Sequence, residues 1–122
     1  MFMIFFVLHD ILVLDDVLRA WEDAGVNGIT LLPSTGLGRL RQNAGLRDDL
    51  PLIPRLEDIV QHTELHNRTL ITIVNDEAMV ERVVAATQNI TGDLELPNTG
   101  ILAVIPLAKV YGLKRPNGSN PL

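Results

Sequence analysis

The chain has no cysteine, which excludes disulfides, thiolate metal centres and cysteine nucleophiles. Aromatic residues are scarce, 4% of 122 positions, so the core has to be built from Val, Leu and Ile. Positive charge is also short: 10 Lys and Arg stand against 15 Asp and Glu, a net charge of -5. That balance excludes a general electrostatic grip on nucleic acid, which requires clustered cations facing phosphates. It leaves room for one local basic pocket around a single phosphorylated ligand. No long hydrophobic run is present either. Met1 to Leu8 is apolar, but His9, Asp10, Asp15 and Asp16 interrupt it well short of the roughly 20 residues that a spanning helix needs. The run has neither a basic leading region nor a small-residue cleavage site. It reads as a buried strand of a soluble, cytoplasmic protein without membrane insertion.

What is present is a globular composition, 47% hydrophobic and 20% charged, on a chain long enough for one domain and too short for two ordinary cores. The spacing predicts a first strand over Phe2 to Leu8, apolar on both faces. A helix follows in which Leu14, Val17, Leu18, Trp21 and Ala24 form one stripe, with Asp15, Asp16, Arg19, Glu22 and Asp23 on the solvated side. Gly25 supplies its stop. A short second strand is expected over Gly28 to Leu32. The pattern then changes between Pro33 and Asn67, where Gly36, Gly38, Gly45, Pro51 and Pro54 punctuate a charged stretch. A loop of that length inside a compact domain is usually functional. Pro54 opens a helical pattern within it, carrying Leu56, Ile59, Val60 and Thr63 on one face.

Thr69 to Val74 is β-branched and reads as a third strand. Asn75 or Asp76 caps a second helix with Val80, Val83, Val84 and Thr87 at helical spacing. Thr91 to Thr99 is a polar loop, and Gly100 to Ile105 a fourth strand that Leu107 to Tyr111 extends or folds back upon. The domain spans residues 1–115, with an extended loop segment at 35–67 and a mobile tail at 116–122. This βαββαβ order predicts an α+β, ferredoxin-like sandwich in which two helices cover one face of a four-stranded antiparallel sheet. The other face, apolar along several strands, is expected to be buried in a symmetric oligomer.

Several stretches resemble the PII family of signalling proteins. Thr35-Gly36-Leu37-Gly38-Arg39 is similar to the family's Lys-Gly-Phe-Gly-Arg junction between its second strand and its long T-loop. Leu14-Asp15-Asp16-Val17 resembles the family's first unit, and Ile71-Thr72-Ile73-Val74-Asn75-Asp76-Glu77 with Val80-Glu81-Arg82-Val83-Val84 resembles its third strand and second helix. Thr91-Gly92 matches the start of its nucleotide-binding B-loop. The resemblance covers Met1 to Leu113 apart from the 33–67 segment. It implies a homotrimer that is not an enzyme. In such a trimer an adenine nucleotide would lie in intersubunit clefts, against Gly36, Leu37, Gly38, Arg39, Thr91, Gly92, Lys109 and Lys114. It also implies a target protein, a transporter or a metabolic enzyme of nitrogen or carbon control, docked by the long loop. Glycines at such a junction let backbone approach a ligand, turn N–H groups can form an anion nest, and Arg39 can fork onto a phosphate. The chain departs from the family in three ways. Pro97-Asn98-Thr99-Gly100 stands where the B-loop carries its phosphate-directed lysine, the sole tyrosine is Tyr111 rather than a T-loop residue, and the loop carries an extra helical pattern.

Other constellations carry less. Asp58, His62 and His66 recur every four residues, so on a helix they would line one stripe. That spacing gives the alternative reading of a CutA-like, divalent-metal-binding trimer. A solvated helix face explains the same residues, with Gln61 and Glu64 beside them. Asp48-Asp49 has the character of a charged loop tip. Ser34 and Thr35 have no His–Asp pattern to activate them, and the nine glycines form no G-x-x-x-x-G-K-[ST] phosphate loop. No catalytic residue is expected.

Overall fold

Alternation of side chains in strands and the apolar stripes of two helices together fix the architecture. The computed structural model describes residues 1–36 and 66–113. Within them the order is β1 (Phe2–Leu8), a 3-10 turn (Ile11–Val13), α1 (Leu14–Ala24), β2 (Thr30–Thr35), β3 (His66–Val74), α2 (Glu77–Thr91) and β4 (Gly100–Pro106). The four strands form one antiparallel sheet in the order β2-β3-β1-β4. This is the expected ferredoxin-like α+β arrangement.

The sheet has two unlike faces. Ile4, Phe6 and Leu8 of β1, with Leu70, Thr72 and Val74 of β3, are buried beneath the helices. Val17 and Trp21 of α1 and Val80, Val83 and Thr87 of α2 close over them. Leu14 and Val84, expected in the core, are partly buried against its rim. Trp21 carries the one indole into this core and satisfies its N–H by donating to Thr87 Oγ1 at 2.8 Å. Thr87 Oγ1 in turn donates to the Val83 carbonyl at 2.7 Å. Both polar groups are buried, and the chain of bonds removes their desolvation penalty.

The caps follow from local chemistry. Gly25 adopts φ 113°, and the N–H groups of Gly25 and Val26 donate to the Glu22 and Trp21 carbonyls, each at 3.0 Å, a Schellman closure. Asp76 rather than Asn75 caps α2, its Oδ1 accepting from Met79 N at 2.9 Å. Asp10 Oδ1 accepts from Leu12 N at the start of the 3-10 turn.

Three boundaries differ from expectation. β2 runs from Thr30 through Pro33 to Thr35, not from Gly28 to Leu32, because an edge strand tolerates a proline that gives up no ladder bond. β3 begins at His66, three residues before Thr69, since His66, Asn67 and Arg68 pair with Thr35, Ser34 and Pro33. The Thr69 and Ser34 hydroxyls, 2.9 Å apart, reinforce that pairing. Beyond β4, residues 107–113 form no strand; Leu107 N still donates to Met1 O at 3.0 Å before the ladder stops. Among the described residues no helix is long and apolar enough to cross a membrane.

Candidate functional site

The strand register sorts the candidate residues by position. β1 ends at Leu8, which pairs with Arg68 near the start of β3 and with Gly100 at the start of β4. β2 ends at the same side of the sheet, where Thr35 pairs with His66. Gly36 follows directly and is partly buried. α2 leaves β3 at the opposite side and returns to this one, so Thr91, Gly92 and the loop to Gly100 also arrive at the Leu8 end. Lys109 does not. It follows Pro106, which pairs with Phe2, and Leu107 is tied to Met1, so Lys109 lies at the far end of the sheet and is exposed. β4 alone separates the two ends by about 20 Å, from the six steps between its seven residues at ~3.3 Å each. Leu37, Gly38, Arg39 and Lys114 lie outside the described residues, as do Asp58 and His62.

The segments next to two of the candidates meet opposite edge strands. Gly36 follows β2, one edge strand, and the loop after Gly92 leads into Gly100, which opens β4, the other. Three strand spacings, about 14 Å, lie between those edges. One copy of the chain therefore does not gather Gly36 and Lys109 around one small ligand.

The loop after α2 is closely organised. Gly92 takes φ 85° and its N–H donates to the Gln88 carbonyl at 2.9 Å, ending the helix. A Cβ there would meet nothing within 4 Å, so the glycine answers to backbone conformation and the space beside it is open. Thr91 Oγ1 turns back onto the helix, within hydrogen-bond distance of the Thr87 and Gly92 carbonyls at 3.1 and 3.0 Å. Leu94 N donates to Gln88 Oε1 at 3.1 Å, Glu95 N to Asp93 Oδ1 at 2.9 Å and Leu96 N to Asp93 O at 3.0 Å. Gln88 and Asp93 thus shape the loop. Gln88 had no signal in the sequence, whereas Asp93 two residues before Glu95 is a recognisable Asx-turn pattern.

One sequence reading changes here. His66 is a strand residue, so the helical stripe of Asp58, His62 and His66 does not extend to it. Strand pairing with Thr35 claims its backbone instead. No group of three or more metal-ligating side chains occurs among the described residues. The Ser34 hydroxyl serves the sheet through Thr69. No family model and no curated protein matches the chain.

Proposed function

We propose that the chain is a PII-like regulator that binds a small effector in clefts between copies of itself and signals through the 35–67 segment. The observation that carries this reading is the placement of Gly36 at the exit of edge strand β2, on the same end of a ferredoxin-like sheet as Thr91 and Gly92. The Gly36–Arg39 junction and the Thr91-Gly92 turn are the segments whose sequence resembles the family. Gly36 follows one edge strand and the loop after Gly92 leads into the other, which supports a site shared between copies. In a cyclic assembly, the β2 edge of one protomer approaches the β4 edge of the next. β2 and β4 run antiparallel to each other, so the end of β2 then meets the start of β4. Gly36 of one copy and the 92–100 loop of its neighbour would flank one cleft. The partly apolar open face of the sheet supports a closed trimer.

Effector binding in that cleft would favour one position of the adjoining long segment and so control its docking on a target protein. The ligand shifts the equilibrium by its differential affinity for the two positions. No catalysis is required of any residue.

A thermal-shift panel of adenine compounds tests the reading, because a ligand of the native state raises stability by mass action. Stabilisation by an adenine compound, diminished in Arg39→Ala, is the expected result. Stabilisation that Arg39→Ala leaves unchanged moves the ligand elsewhere. A protein that remains monomeric at high concentration removes the shared cleft.

A further inference from the structure

We propose that copies of the chain join by strand pairing, the outer edge of β2 in one copy against the outer edge of β4 in the next, in a ladder that Pro33 interrupts. The inference rests on the shared-cleft reading above and names the joint that would carry it. In an antiparallel sheet the residues of a strand turn their N–H and C=O groups alternately to one neighbour and to the other. Leu107 N donates to Met1 O at 3.0 Å, one step beyond the Phe2–Pro106 pair. Met3, Phe5 and Val7 therefore bond β4, and Phe2, Ile4, Phe6 and Leu8 bond β3. Carried through the registers, the same alternation turns Leu102 and Val104 of β4 outward, with Leu31, Pro33 and Thr35 of β2. Pro33, which has no N–H, stands at one of these outward positions, where its own sheet asks for no donor.

Neither edge carries a guard of charge against pairing. Exposed edge strands are ordinarily blunted by charged side chains, lysine above all. β2 is Thr-Leu-Leu-Pro-Ser-Thr and β4 is Gly-Ile-Leu-Ala-Val-Ile-Pro, with no charged residue in either. Leu31 and Leu32 of β2 are exposed, as are Ile101, Val104 and Ile105 of β4. β2 and β4 run antiparallel to each other, and rotation about an axis along the strands keeps that sense between copies. With Thr35 opposite Gly100, as the proposed cleft requires, Leu31 falls opposite Val104 and Pro33 opposite Leu102. Leu31 and Val104 then exchange both N–H···O bonds, whereas Pro33 accepts from Leu102 and returns nothing. A symmetric pairing of two β4 strands would leave Leu31 and Leu32 on an uncovered edge. The β2–β4 joint, repeated around a closed ring, uses both edges of every copy.

Amide hydrogen exchange of the full chain, labelled at high concentration and again after dilution to the monomer, tests this residue by residue. The Ile101, Ala103 and Ile105 amides, turned to β1, should be slow in both. The Leu31, Leu102 and Val104 amides should be slow in the oligomer and exchange faster by roughly ten-fold or more on dilution. Pro33→Ala supplies the missing donor opposite Leu102 and should tighten association by roughly two- to ten-fold, the effect of one added hydrogen bond. An oligomer in which the Leu31, Leu102 and Val104 amides exchange freely, or which Pro33→Ala does not tighten, overturns the inference and leaves the shared-cleft reading intact. Protection at Leu102 and Val104 without Leu31 overturns it in favour of a symmetric β4 pair. A chain that stays monomeric overturns both readings.

Discussion

Gly100 leaves almost no room for a side chain. Its φ is +137°, and a Cβ would stand 2.6 Å from the Val7 carbonyl oxygen and 2.7 Å from Phe6 Cε1. The first neighbour is backbone of the central strand, and the second is a fully buried ring, so neither yields cheaply. Gly100→Ala should therefore cost about 2–4 kcal/mol, from backbone strain and overpacking together. Gly92→Ala meets nothing within 4 Å and is opposed only by its backbone conformation, φ +85° with ψ -174°, a cost of about 1–3 kcal/mol. Urea unfolding of the two variants should rank them in that order, with unchanged m-values; equal costs would refute the packing argument. The Trp21–Thr87 bond offers a second check at this scale. Thr87→Val keeps the shape but leaves the buried indole N–H without its acceptor, for about 1–3 kcal/mol. Thr87→Ser keeps the acceptor and should recover much of that loss. The chain has one tryptophan, so its fluorescence reports on this bond directly, and an equal loss in both variants would argue against it.

At the scale of elements, α2 rests on one cap. Asp76 Oδ1 holds the Met79 amide at 2.9 Å, while the adjacent Asn75 makes no such contact and is exposed. Asp76→Ala should destabilise by about 1 kcal/mol, whereas Asn75→Ala should be nearly neutral. A thermal melt that orders them the other way would transfer the cap to Asn75. The sequence alone left these two open because either side chain can cap. Elements with strong periodicity were otherwise readable: β1 from its apolar run, α1 from the Leu14–Ala24 stripe and Gly25. β2 and β3 were displaced in the reading for two physical reasons. Pro33 looks like a strand end, yet an edge strand accommodates it. His66-Asn67-Arg68 looks polar and irregular, yet its backbone finds partners in β2 and Thr69 finds the Ser34 hydroxyl. Pairing across some thirty residues of intervening chain is tertiary information that local pattern does not carry.

The candidate site belongs to the scale of the whole molecule, and its legibility stopped there. Gly36 and Thr91-Gly92 could be picked out by spacing, but not the fact that Gly36 follows one edge strand while the loop after Gly92 leads into the other, nor that Lys109 falls at the far end of the sheet. Strand order and register decide both. The same topology leaves Phe5, Val7, Ile71, Ile73, Ile101 and Ile105 on the face away from the helices, with Ile101 62% exposed. An apolar face of that kind calls for a cover. Ile71 lies at its middle, on β3, opposite Phe5 of β1 and Thr30 of β2. Ile71→Lys places a charge where a second copy would exclude water, at a cost to association of several kcal/mol unless a partner charge meets it. Sedimentation of the unmodified chain should show a closed oligomer, a trimer on the proposed function, and Ile71→Lys should reduce it to monomer with its far-ultraviolet circular dichroism preserved. Leu12→Lys is the control, because Leu12 is 89% exposed on the turn before α1, away from that face; it should leave the mass unchanged. Loss of the oligomer in both variants would trace assembly to general solubility rather than to the sheet face. Retention in Ile71→Lys would move the interface to the strand edges alone, where Gly36 and the 92–100 loop already lie.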